Sequence, residues 1–225
     1  MGLPFRVADL SVSHQRESSQ ADLNPERNQD CPGEATHLMS EQRPLAPGEA
    51  WRAVAACSVA TAPLIAWGRV RLPKERLGMR LSFSDDTSAQ VYRETRLGSG
   101  LAKDPCTLVV AFRLRLVRGP AHALFRAESL LNTPLFVGFP GFTSKLWLAH
   151  DECDRYRGVY EWDGQERAEH YARSLWRVLA LVSVPGSIRY AILPGLRRDQ
   201  VIADPGLVQD GADGAAAWWR IKSTA

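Results

Sequence analysis

The spacing of apolar and polar positions changes period several times along the chain, and each change marks an element. Residues Cys106–Val117 read CTLVVAFRLRLV, a run rich in the β-branched and aromatic residues that suit a strand. Phe142–Ala149 and Tyr156–Trp162 are two further strands around the polar loop His150–Arg155, and Ser187–Leu193 is a fourth. Between the first two strands, Pro120 opens a helix reaching about Leu131, since a first-turn proline lacks only an N–H that would be unpaired anyway. Between the last two, Ala168, Tyr171, Ala172, Leu175, Val178, Leu179 and Val182 recur at helical spacing. Asp163 and Glu166 form a capping-box-like pair before that helix, and Pro185-Gly186 ends it. The order βαββαβ over 106–195 predicts a ferredoxin-like α+β unit: a four-stranded antiparallel sheet with both helices on one face.

The first hundred residues read differently. Over 1–47 apolar residues are sparse and prolines frequent, which predicts a disordered leader; Met39 inside it would serve as an alternative start. A short helix follows over Trp51–Val59, then a strand over Leu64–Leu72. Leu77–Ser84 and Ala89–Leu97 flank Asp85-Asp86-Thr87-Ser88, short polar residues that suit a hairpin turn. Residues 98–105 read as a linker and 203–225, rich in Gly, Ala and Asp, as a flexible tail. A single domain over 48–202 results, with 48–105 an extension of the 106–195 core.

Alternation along a strand separates two faces. Leu108, Val110 and Phe112, with Phe142, Leu146, Leu148, Tyr156, Tyr160, Trp162, Tyr190 and Ile192, form an apolar set that should meet the helices. The opposite set mixes Val109, Ala111, Val159 and Ala191 with Arg113, Lys145, Trp147, Arg157, Glu161 and Arg189. A semi-buried cavity or a dimer interface accounts for that mixture better than open solvent. Those last six side chains are the candidate ligand-binding wall, and a pocket of roughly 300 Å³ or more around them is the observation that would support it.

Composition narrows the classes. With 45% hydrophobic and 24% charged residues, the chain is neither a disulfide scaffold nor wholly disordered. The net charge of +3 averages an acidic leader with a basic middle: residues 51–202 carry 22 Lys and Arg against 14 Asp and Glu. Basic and acidic residues interleave there, so the excess points to an anionic small ligand and not to a nucleic-acid groove. The most apolar run, 54–67, is too short to span a bilayer and contains Pro63. Cys31, Cys57, Cys106 and Cys153 are widely separated, which reads as isolated thiols in a reducing compartment. His150-Asp151-Glu152-Cys153 holds metal-ligand types, but four consecutive loop residues rarely converge on one ion, so no metal is expected. His122, His150 and His170 read as surface or structural histidines, and no general base is evident.

The stretch Gly141–Asp151 (GFTSKLWLAHD), then Tyr156–Asp163 (YRGVYEWD), then Ala168 and Tyr171, resembles the dimeric α+β-barrel superfamily, and within it the antibiotic-biosynthesis-type mono-oxygenases. The resemblance covers about 106–195. It implies a bacterial, cytoplasmic homodimer that oxygenates an electron-rich, anionic aromatic compound in a barrel cavity without metal, flavin or other cofactor. On this chain it implies Trp147 and Arg113 as wall residues and Arg157 or Arg189 as stabilisers of an enolate or phenolate, since a guanidinium is a fixed cation with a planar donor fork. The superfamily also holds haem-degrading members, but the spacing of Asn132, Trp147 and His150 does not follow their set. Two functions stay open: such an enzyme, or a non-catalytic ligand-binding or dimerising module of the same fold. Neither nucleic acid nor membrane is expected as a partner.

Overall fold

The β runs pair into one antiparallel sheet. In a computed structural model that describes residues 43–98, 100–115, 117, 129–208 and 217–225, the strands are β1 (Val70–Arg71), β2 (Arg80–Phe83), β3 (Ser88–Leu97), β4 (Pro105–Arg113), β5 (Phe142–Leu148), β6 (Arg155–Asp163), β7 (Arg189–Pro194) and β8 (Ile221–Thr224). Their order is β7-β4-β6-β5-β3-β2-β8, with β1 paired to β3. The four strands β7-β4-β6-β5 stand in the ferredoxin-like order, and the expected hairpin β2–β3 extends the sheet from β5. Central β4 is paired on both sides, to β6 and β7, and its residues 106–111 are all buried, which is why it reads as an unbroken apolar run.

One face carries the helices. Helix α1 spans Pro47–Ala66 and α2 spans Gln165–Val182, with a 3-10 turn at Ser129–Leu135. The helix expected over 120–131 lies outside the described residues as far as 128. Helix α2 buries Ala168, Tyr171, Ala172 and Leu175 against the sheet, the face its spacing predicts. Asp163 does not cap it: its Oδ1 accepts the backbone N–H groups of Lys103 and Asp104, and α2 starts after Gly164. Helix α1 runs through the positions expected to begin a strand. Pro63 lacks the N–H that would bond the Val59 carbonyl, but Val59 is exposed and water can serve instead. The helix closes at Gly68, whose φ of +63° lets its N–H reach the Ile65 carbonyl.

Helix α1 lies close against the loop after the 3-10 turn. A Cβ on Gly138 would collide with the carbonyl oxygen of Cys57 and stand 2.7 Å from Thr61 Oγ1. Gly138→Ala should therefore cost about 3 kcal/mol by overpacking, read as a lower urea midpoint at unchanged slope.

The opposite face is covered by the chain itself. Leu81, Phe83, Val109, Ala111, Val159 and Ala191 pack there with Val201 and Ile202 of helix α3 (Arg198–Ala203), and with Trp218 and Ile221. Two expectations change. The segment expected as a flexible tail carries buried Trp218 and strand β8, which pairs with β2, because its tryptophan and isoleucine supply apolar surface for this second core. The face read as a cavity wall or dimer interface is occupied within the protomer. The cysteines also differ from isolated thiols: Cys57 and Cys106 are free and buried, but Cys153 is disulfide-bonded. Separation in sequence carries no information on such proximity in space. Among the described residues, no helix is long and apolar enough to cross a membrane.

Candidate functional site

In three of the four core strands the alternation assigns faces correctly; β5 departs from it. Its pairing with β6 shifts register between Phe142 and Ser144, a β-bulge that inserts one residue. A one-residue insertion inverts every side chain beyond it. Phe142 stays on the helix side, whereas Leu146 and Leu148 enter the opposite core. Lys145 and Trp147 turn towards the helices instead. Strand β3 carries a matching irregularity between Val91 and Arg93, and Thr95 beyond it receives the Trp147 indole N–H at 3.0 Å.

The bulge thus places a lysine amine among aromatic rings. Lys145 Nζ lies 3.1 Å from the Trp147 ring centre, 4.7 Å from that of Tyr160 and 4.8 Å from that of Phe136. It has no hydrogen bond or ion pair among the described residues. Rings attract a cation through their negative faces, at about 2 kcal/mol when desolvated, but that is less than the desolvation of an unpaired ammonium. Arg93 adds repulsion: its guanidinium carbon sits 3.8 Å from the same indole centre. Burial first, and Arg93 second, hold the Lys145 ammonium well below the ordinary lysine pKa. Arg93 is itself pushed down to about 10 by burial. One of its nitrogens donates to the Ser129 carbonyl at 2.7 Å, while Nε and the other amino group find no partner among the described residues.

Lys145 opens onto a cavity of about 490 Å³ between the sheet and α2. Its wall is mostly aromatic and aliphatic, with Phe112, Phe136, Trp147, Tyr156, Leu175 and Val178 prominent. Polar groups are few. Tyr171 donates its hydroxyl to that of Tyr160 at 3.1 Å, and burial raises the pKa of both, so both stay protonated at neutral pH. Asn132 and Arg115 also reach the wall. The shift favours the uncharged amine over the ammonium, and an uncharged amine can accept a proton or attack an electrophilic carbon, which an ordinary surface lysine, protonated at neutral pH, cannot do.

Of the six expected wall residues, the structure brings Lys145 and Trp147 together at this cavity. Arg157 borders it, but its guanidinium is held in ion pairs, 2.6 Å from Asp151 and 2.7 Å from Asp85, over the Phe83 ring. Arg155 joins the same pair of carboxylates, and all four side chains are buried. Glu161 pairs with Arg197 at 3.1 Å. Arg189 lies over Trp218, on the covered opposite face. Arg113 follows the alternation of β4 onto that same face. Of the five charges that suggested a ligand wall, Arg157 and Glu161 are thus held in internal ion pairs. The sequence reading missed Arg93, Tyr160 and Tyr171 as a set, and it did not separate Lys145 from the other charges assigned to its face. The signal for Lys145 lies in its flanks: a lone lysine in the run FTSKLWL has no acidic neighbour.

Fold and cavity together define a ferredoxin-like α+β protein with an aromatic hollow between sheet and helix. No protein-family model matches the chain, and no curated protein does. Among solved structures it is similar to a ferredoxin-fold protein from Listeria monocytogenes related to antibiotic biosynthesis monooxygenases, at 13% identity and a TM-score of 0.35. It is also similar to a monooxygenase-like protein from Listeria innocua, at 14% and 0.35, and to an anthrone oxidase-like protein, at 16% and 0.33. About half of this chain is covered in each case, at 50%, 49% and 49%. It spans 66%, 65% and 55% of those chains, less than two thirds of each.

Proposed function

We propose that the cavity binds an electron-rich hydroxylated aromatic compound and that Lys145 removes its phenolic proton. The observation that carries this reading is the Lys145 amine, without a hydrogen-bond or ion-pair partner among the described residues, on the wall of an aromatic cavity. Aromatic walls complement a planar ring, and the Lys145 ammonium formed on proton transfer sits beside the phenolate it created, supplying the base that the sequence did not disclose. With dioxygen as co-substrate the reaction is a cofactor-independent mono-oxygenation. The phenolate passes electrons to O₂; one oxygen atom bonds to ring carbon, giving a quinone. The other leaves as water with two substrate hydrogens, so a phenol plus O₂ yields a quinone plus water.

Oxygen uptake with a panel of hydroxylated polycyclic aromatics tests this. The parent protein should consume one O₂ per quinone formed, and Lys145→Met should lose at least about 100-fold in rate, the range assigned to a positioned proton acceptor. Equal rates in parent and variant would overturn the role of Lys145. The second reading, a ligand-binding module, is favoured by the Tyr171–Tyr160 hydrogen bond, which occupies the Tyr171 hydroxyl proton and leaves the cavity little further polarity for catalysis. Quenching of tryptophan fluorescence by the same compounds, with no oxygen uptake, would leave that module standing.

A further inference from the structure

We infer that Lys145 is also a covalent site, whose amine captures an aromatic aldehyde as an imine inside the cavity. The inference rests on the cavity reading above but needs no oxygen chemistry. Among the buried charged side chains, Arg155, Arg157, Arg198, Glu94 and Glu161 all have ion-pair partners at 3.4 Å or less. Lys145 and its neighbour Arg93 have none among the described residues, and Lys145 faces open volume. A desolvated lysine beside a second cation, here Arg93, is the arrangement that leaves an amine free to act as a nucleophile at neutral pH. The rings of Phe136, Trp147 and Tyr160 around Nζ favour an aromatic carbonyl compound over an aliphatic one, since ring faces and edges pack on one another.

The step balances without any oxidant. The amine lone pair forms a C–N bond to the carbonyl carbon, the C–O π bond breaks onto oxygen, and a proton moves from nitrogen to that oxygen. Loss of the hydroxyl with a second nitrogen proton releases water and leaves a C=N bond. Exclusion of bulk water by the apolar walls slows the reverse hydrolysis.

The chain has four lysines, Lys74, Lys103, Lys145 and Lys222, which makes the test selective. The intact protein is treated with 2-naphthaldehyde at pH 7 and then with borohydride, which delivers hydride to the imine carbon and fixes it as a secondary amine. Peptide mass spectrometry should place the adduct, heavier by the aldehyde less one oxygen atom, on Lys145 at least about tenfold over each other lysine, because ordinary lysines are almost wholly protonated at that pH. Raising the pH towards 10 should erase the preference. Lys145→Met should remove the selective adduct while leaving the slow alkaline labelling of the other three.

An even distribution over the four lysines at pH 7, or no adduct at Lys145, overturns the inference. Tryptophan quenching by 2-naphthaldehyde separates the two failures. Quenching without an adduct sinks the covalent step and spares the cavity; neither quenching nor adduct sinks both. Should the methionine variant not fold, the distribution over the parent's own lysines still decides.

Discussion

Arg157→Met should lower stability by about 3–5 kcal/mol and unfold the protein at a far lower urea concentration than the parent, the cost of removing one partner from a buried ion network. The arginine holds Asp151 at 2.6 Å and Asp85 at 2.7 Å, and all three side chains are fully buried. Asp151 also orders its loop, because its Oδ1 accepts the N–H groups of Cys153 and Arg155. Asp85 does the same for the β2–β3 turn through the Thr87 hydroxyl at 2.6 Å. Arg157 therefore ties two turns to the start of β6. Once it is gone, Arg155 alone faces two carboxylates at 3.3 and 3.4 Å. Restoring balance by also replacing one of the two aspartates, Asp85, with asparagine should recover part of the loss, measured by equilibrium unfolding. If the single variant is as stable as the parent, the network contributes no stability.

Lys145→Met should act in the opposite direction on stability while abolishing chemistry. At pH 7 the variant is expected to be about 1–3 kcal/mol more stable, since a well-packed apolar side chain replaces a poorly solvated polar one of similar length. The pH dependence gives a sharper readout. The folded-state pKa of Lys145 is depressed far below its unfolded value of about 10.4. Between the two, the unfolded chain binds one more proton than the folded chain, so stability rises with pH through that window. Below the folded pKa both states are protonated, the slope disappears, and the burial penalty is carried in full. Urea midpoints from pH 6 to pH 10 should therefore climb for the parent more steeply than for the variant. Parallel curves would show that the amine is not buried in solution.

The core of the fold was legible because its elements obey simple periods. Strand β4 alternates into two apolar sets, α2 carries one apolar stripe, and Pro185-Gly186 stops it. The extension was less legible. Helix α1 is rich in alanine and contains a proline, so its last turn resembles a strand, and it packs closely on Gly138, a contact that no local pattern reveals. The second core could not be seen from the strands alone, because Trp218 and Ile221, which cover it, are separated in sequence from every strand they cover. At the candidate site, face alternation singled out Lys145 and Trp147 but placed them on the side of the sheet opposite to the one they occupy. Parity counts residues, and it fails when a strand inserts one. The charges of β6 misled for a different reason. Arg157 and Glu161 lie opposite acids and bases contributed by distant turns, and a charge viewed without its partner looks like a charge awaiting a ligand.

The bulge at the start of β5 also bears on how such a site could arise or vanish. With one residue between them, regular pairing would put Phe142 and Lys145 on the same side of the sheet; with two between them, they share it only because one residue bulges out of the ladder. Deleting the extra residue, Thr143, should therefore straighten β5 and leave the Lys145–Trp147 pair facing the hollow. Pairing the present sequence without the bulge would instead bring Leu146 and Leu148 to the hollow and carry the amine to the other side. Residue count and bulge together, and not the identity of any one residue, thus decide whether this strand offers an amine or an aliphatic lining.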